Sequence, residues 1–211
     1  MSKPQIKIVG ADKGGVGKTT ITRALIDYLD ASGVANRPFD TESDVEGGVL
    51  KRFYADRAEI VDLADSDGQM RVFDTLNAIT ATVIDIRATL LSPTLQLLTD
   101  IGFLDPEKYA ITVLHVVGNS QTSIDEIKPV ATKLAAGARH VVVGNRINAT
   151  KFVFPPDALD IPMLAPAAVE AVDKSNMPFG VFGKEHSSAV LRGAVNTWRD
   201  RVFTQFAAAK L

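Results

Sequence analysis

Apolar and polar positions follow two alternating rhythms along the chain. Short, branched, uninterrupted apolar runs at 6–9, 81–86, 111–117 and 140–145 read as strands, the longer ones buried on both faces. Between them the spacing lengthens to a helical period. In residues 18–32, Ile21, Ala24, Leu25, Tyr28 and Leu29 share one face, and Gly33 follows as a terminator. Similar spacing predicts helices at 45–54, 69–78, 95–101, 123–136, 167–174 and 187–208, with Pro129 weakening the fourth. Short strands are expected at 58–63, at 161–164 and up to Asp40, although Pro38 is awkward in a central strand. The segment Asp65-Ser66-Asp67-Gly68 reads as a turn. This alternation predicts an α/β fold with a mostly parallel central sheet and helices on both faces. No linker, low-complexity tract or repeat divides residues 1–211, so a single domain is expected.

Composition narrows the chemistry. With 46% hydrophobic and 23% charged residues, the chain can bury a core, and its net charge of −2 exerts no overall pull on nucleic acid or anionic lipid. The absence of cysteine excludes disulfides, thiol catalysis and cysteine-bound metals. The three histidines are scattered and match no metal-ligand spacing. Residues 1–5 are polar and the first apolar run is short, so no secretory leader is read, and no run reaches membrane-spanning length. A cytoplasmic protein without stable membrane association is expected.

One segment carries strong chemistry. Gly10-Ala-Asp-Lys-Gly-Gly-Val-Gly-Lys-Thr-Thr20 lies between the first strand and the first helix, where a phosphate-binding loop belongs. Gly14, Gly15 and Gly17 let backbone N–H groups turn inward around phosphates, and the helix start adds free amides and partial positive charge. Lys18 would neutralise the β and γ oxygens, and the Thr19 hydroxyl would ligate Mg²⁺. The nucleotide-binding set is thus Gly14, Gly15, Val16, Gly17, Lys18, Thr19 and Thr20, with ATP and Mg²⁺ as cofactors. Carboxylates must support the metal and the attacking water. Asp40 and Asp85, each expected at a strand end beside the loop, are the candidates.

The general pattern wants glycine at position 12, where this chain has Asp12, and a second lysine, Lys13, precedes the double glycine. Lys13-Gly-Gly-Val-Gly-Lys18-Thr resembles the deviant Walker A loop of the ParA/MinD ATPases. That resemblance implies that Lys13 reaches the phosphates of a partner subunit in an ATP-dependent homodimer. It implies that Asp40 orients water, as the first acid of a D-x-D-P-like segment that here reads Asp40-Thr-Glu-Ser. It also implies that Asn145 contacts the adenine edge. Lys13, Lys18 and Asp40 are the catalytic candidates, and Thr19, Asp40 and Asp85 the metal candidates. Asp85 is followed by Ile-Arg87 rather than the family's T-P-P, and Arg87 either senses the γ-phosphate or pairs with a surface acid.

The resemblance further implies slow, partner-stimulated ATP hydrolysis in plasmid or DNA partition, or in positioning a macromolecular cargo. Non-specific DNA binding is a further implication. Two other readings stand: a small-molecule phosphoryl-transfer enzyme of the dethiobiotin synthetase-like type, and a nucleotide-dependent binding module with little turnover. The last helix, with Val195, Trp198, Val202 and Phe206 in phase, is expected to dock on the core.

Overall fold

A computed structural model describes residues 3–134, 137–149 and 151–211. Its elements are β1 (Gln5–Gly10), α1 (Lys18–Ala31), β2 (Asn36–Asp40), β3 (Glu59–Ile60), α2 (Ser66–Phe73), β4 (Ala81–Asp85), α3 (Leu91–Asp100) and β5 (Ala110–Val117). They continue with α4 (Gln121–Asp125), α5 (Ile127–Leu134), β6 (Arg139–Asn145), β7 (Leu159–Ile161), α6 (Pro166–Ser175), α7 (Phe179–Glu185) and α8 (Ala189–Ala208). The strands form one sheet in the order β3-β2-β4-β1-β5-β6-β7, and every pairing is parallel.

Helices cover both faces, as a parallel sheet requires. On one face α1, α6, α7 and α8 bury Ile21, Leu25, Val172, Phe182, Trp198 and Phe206. On the other, α2, α3 and α5 bury Phe73, Leu95, Leu98 and Val130 against Ile6, Ile8 and Ile84. The last helix docks on the core as expected: Val195, Val202 and Phe206 are fully buried, and Trp198 Nε1 donates to the Pro162 carbonyl at 2.7 Å.

Pro38 is accommodated for a specific reason. It pairs with Val83 of β4, but β3 meets β2 only from Phe39 onward, so the missing N–H faces no neighbouring strand on that side. Other expectations need correction. The helix expected over 45–54 is replaced by turns and one 3₁₀ turn, Lys51–Phe53, because Gly47 and Gly48 take left-handed φ values of 78° and 69°. Asp65–Gly68 is not a free turn but the start of α2. A Cβ at Gly68 would lie 1.9 Å from the Asp62 carbonyl, so the glycine lets the helix lie against the preceding chain. The helix expected over 123–136 divides at Glu126 into α4 and α5, and positions 135 and 136 lie outside the described residues. Helix α7 was not expected, since Gly180 and Gly183 masked its short period.

Candidate functional site

Strand β1 occupies the middle of the sheet, and the chain leaves it for β2 on one side while β5 lies on the other. Such a reversal opens a crevice at the carboxyl ends of the strands. The loop 11–17 fills that crevice and runs directly into α1. Gly15 and Gly17 hold φ values of 75° and 85°, which side chains with a Cβ resist. A Cβ at Gly17 would also fall 2.2 Å from Asn145 Nδ2. Gly14 is under no such constraint, its nearest neighbour for a Cβ being Ala88 at 3.8 Å.

Beneath the loop, Asp85 ends β4 and is almost wholly buried. Thr19 Oγ1 donates to its Oδ2 at 2.7 Å and Thr22 Oγ1 to its Oδ1 at 2.7 Å. Burial pushes the Asp85 carboxyl up to about 7, and neighbouring Asp40 pushes the same way. The two hydroxyl bonds and the Lys18 charge pull against them. Lys18 is itself largely buried. Desolvation lowers its pKa, while Asp85, Glu42 and Asp12 resist that shift. A lysine, a threonine hydroxyl and a buried carboxylate therefore converge at the N-terminus of α1, where the first helical amides lack intrahelical acceptors.

Asp40 sits beside Asp85 in register and is fully buried, but its partners differ. Its Oδ1 accepts from Glu42 N at 3.0 Å, and its Oδ2 from Leu50 N at 2.7 Å and Lys51 N at 3.1 Å. The carboxylate holds the 41–51 loop closed. Thr41 links the two strand ends: its Oγ1 donates to the Asp85 carbonyl at 2.9 Å and accepts from Arg87 N at 2.9 Å. Arg87 pairs with Asp44, the surface-acid option.

Lys13 is exposed and turns away from its own loop. Its Nζ donates to Ser120 Oγ at 3.1 Å and Thr122 Oγ1 at 3.2 Å on the loop into α4. Asn145 is buried, and its Nδ2 donates to the Val16 carbonyl at 3.0 Å, bracing the glycine loop from β6. Two participants are given no role by the sequence. Thr22 completes the Asp85 carboxylate, one helical turn beyond Lys18, where the hydroxyl is legible only once Asp85 is placed. Asp12, at the position where the general pattern has glycine, accepts from Ser92 N at 3.2 Å and from the Ser92 hydroxyl, tying the loop to the first turn of α3.

Neither a family model nor a curated protein matches the sequence. Solved structures do match the fold. The chain aligns with MinD from Aquifex aeolicus at 15% identity and TM-score 0.53, covering 92% of this chain and 96% of that one. Against the cell division ATPase MinD of Pyrococcus furiosus the identity is 16%, the TM-score 0.50 and the coverage 95% and 99%. Against the septum site-determining protein MinD of Pyrococcus horikoshii, complexed with Mg-ADP, the values are 15%, 0.50, 92% and 95%. The central parallel sheet with its glycine loop running into α1 defines a P-loop nucleotide-binding fold. The particular form of that fold is the one seen in these MinD structures.

Proposed function

We propose that this chain is an Mg-ATP-binding ATPase that works as an ATP-dependent dimerisation switch in DNA or plasmid partition, or in positioning a macromolecular cargo. The observation that carries this reading is the preassembled group of Lys18, Thr19 and Asp85 at the loop, with a second lysine, Lys13, directed outward. A lysine that served its own phosphates would turn inward. One that lies exposed on a hydroxyl pair is free to cross to a second copy. In this reading a stimulating protein and non-specific DNA are the partners.

Mg²⁺ fits the donor set, which offers hard oxygens from a hydroxyl already bonded to a buried carboxylate. Among the described residues no group of three or more His, Cys, Asp or Glu could hold a metal, so the ion would arrive with phosphate oxygens. Thr19 would ligate it and Asp85 would accept from Thr19. When bound, Mg²⁺ would neutralise charge developing on the transferred phosphoryl group. Lys18 would bind the β and γ oxygens, and the loop amides would orient them. Asn145 would keep Val16 and Gly17 in place while its amide borders the base.

Asp40 bears on turnover. It is fully buried, so to orient water it must be uncovered, and that requirement favours slow hydrolysis accelerated by a partner that moves the 41–51 loop. The same observation supports a second reading, a nucleotide-dependent binding module with little turnover. Phosphoryl transfer to a small acceptor draws less support, because a cavity of small-molecule size, about 560 Å³, lies at the far end of α1 from the loop rather than beside it.

Solution mass by light scattering tests the proposal, with ADP, with ATP-Mg²⁺, and with ATP-Mg²⁺ on Lys13→Ala. A dimer formed only with ATP and lost in Lys13→Ala is the expected result. A monomer in every state, with ATP demonstrably bound, overturns it. Hydrolysis of ATP by that dimer, faster at higher protein concentration, separates the switch from the low-turnover module.

A further inference from the structure

The cavity at the far end of α1 is built from four elements. Asp27, Asp30 and Ala31 of α1 form one wall, the segment from Arg52 to Arg57 a second, and α7 with the residues preceding it a third, while Arg199 of α8 enters between them. At about 560 Å³ it has the size of a small-molecule site. Its apolar surfaces come from Phe53, Tyr54, Pro178 and Val181.

The charges around it are unequally committed. Arg57 is held by Asp30 at 2.8 and 3.1 Å, and Arg52 pairs with Asp173. Asp27 spends both oxygens, accepting from Tyr54 Oη at 2.8 Å and from Gly180 N at 2.7 Å. Arg199 differs. Its Nε is buried without a protein partner, and Nη1 makes one long bond, 3.4 Å, to Asn196 Oδ1. Among the described residues no carboxylate forms an ion pair with it.

The fold makes room for this guanidinium. Gly180 and Gly183 lie one turn apart on α7, and a Cβ at either would come within 3.8 or 3.4 Å of Arg199 Nη1. A Cβ at Gly183 would also stand 2.0 Å from Asn196 Oδ1. Two glycines thus let α7 and α8 close on each other while the arginine threads between them to the cavity. Lys184, exposed one turn further along α7, adds a second cation at the rim. Asp27 attracts this guanidinium without reaching ion-pair distance. A half-buried guanidinium with a free Nε and no direct ion pair, on the wall of a cavity with aromatic lining, can take an anion that brings its own apolar body.

We infer that this cavity binds a small organic anion, a carboxylate or phosphate ester on a flat apolar body, whose head pairs with Arg199 and Lys184 while the body lies against Phe53, Tyr54 and Pro178. The site is separate from the phosphate loop and does not depend on the switch reading.

The test is calorimetric titration of the full chain with benzoate and with phenyl phosphate, each with and without excess ADP-Mg²⁺. Saturable binding of at least one probe that persists in ADP-Mg²⁺ and weakens roughly tenfold in Arg199→Met is expected, as for loss of a charged hydrogen bond. A smaller loss is expected in Lys184→Ala, at the solvated rim. Gly180→Val, which fills the cavity, should abolish binding, and circular dichroism melts confirm that each variant folds. The inference is overturned if neither probe binds by about 10 mM, a strength below any functional site of this size. It is equally overturned if ADP-Mg²⁺ displaces the probe, or if folded Arg199→Met binds as well as the parent.

Discussion

Two aspartates end neighbouring parallel strands in the same register row, and their chemistry differs completely. Asp85 is held by two side-chain hydroxyls, Thr19 and Thr22, both on the helix that follows the phosphate loop. Asp40 is held by three backbone amides of one loop. A hydroxyl can rotate, give up its proton bond and take a cation, whereas a backbone amide moves only with its chain. The same residue type at the same depth is therefore held by rotatable side chains in one strand and by fixed loop amides in the next. Position at a strand end identifies a candidate, and the partners decide what it can do.

Truncating each aspartate should separate the two roles most sharply. Asp40→Ala leaves three amides of the 41–51 loop without their acceptor, and should cost about 3 kcal/mol or more in urea unfolding without nucleotide. Asp85→Ala frees two rotatable hydroxyls and removes a disfavoured buried charge, so its cost at pH 8 should be much smaller. Its effect should appear instead as a roughly 10–100-fold loss of Mg²⁺-dependent nucleotide affinity. Equal urea midpoints for the two variants would break the comparison.

The pH dependence of apo stability sharpens it next. Asp85 is raised from 3.8 to about 7, so between those values the folded state keeps a proton that the unfolded chain releases. Stability from this group falls as pH rises through that window. His115, buried on β5 with its Nε2 2.7 Å from His140 Nδ1, is moved the other way, to about 4 from 6.5. Burial is the main cause and His140 the second, with Asp12 opposing. Here the unfolded chain takes up the proton, so stability rises with pH over that range. The two slopes, worth roughly 4 kcal/mol for Asp85 and roughly 3 kcal/mol for His115 across their windows, oppose one another between about pH 4 and 6.5. Denaturant midpoints of the parent should change little there. Asp85→Asn should expose the rising slope and His115→Gln the falling one. A flat profile in His115→Gln would mean that the Asp85 carboxyl titrates normally in the folded protein, and a flat one in Asp85→Asn that the His115 imidazole does.

The sequence carried the strands and the loop because both are written in residue types. Short branched apolar runs favour buried strands, and Gly15 and Gly17 stand where the backbone takes left-handed φ values. It could not carry the partners of Asp40, Asn145 and Lys13, because each lies 10 to more than 100 positions away. That Leu50 and Lys51 donate to Asp40, and that the Asn145 amide donates to Val16, is written in no local spacing. The 45–54 segment misled for the same reason: its apolar spacing favours helix, but Asp40 and two left-handed glycines fold it otherwise.

Thr41 is the bridge between the two strand ends, and its removal should have an intermediate effect. Thr41→Val loses a buried hydroxyl that donates to the Asp85 carbonyl and accepts from Arg87 N, leaving Arg87 N unpaired while the carbonyl keeps the backbone N–H of residue 41. A loss of about 1–2 kcal/mol in urea unfolding is expected, with nucleotide affinity little changed. Affinity lost in step with stability would show that the β2 and β4 ends act as one unit, and the contrast between Asp40 and Asp85 would then be one of degree.

Arg87 should give the smallest effect, and it tests whether the comparison extends past the strand ends. Its ion pair with Asp44 leaves the acid 74% exposed, a setting in which such pairs contribute less than about 1 kcal/mol. Arg87→Ala should therefore shift the urea midpoint barely at all and leave ATP hydrolysis within about twofold of the parent. The alternative is that Arg87 leaves Asp44 when nucleotide binds and meets the γ-phosphate. Hydrolysis in Arg87→Ala would then fall by roughly a thousandfold, as when a phosphate-contacting arginine is lost, while ADP affinity stayed the same. Arg87 follows Asp85 by two residues and its N–H is fixed by Thr41, so a catalytic result would place the switch element after β4 rather than in the loop that Asp40 closes.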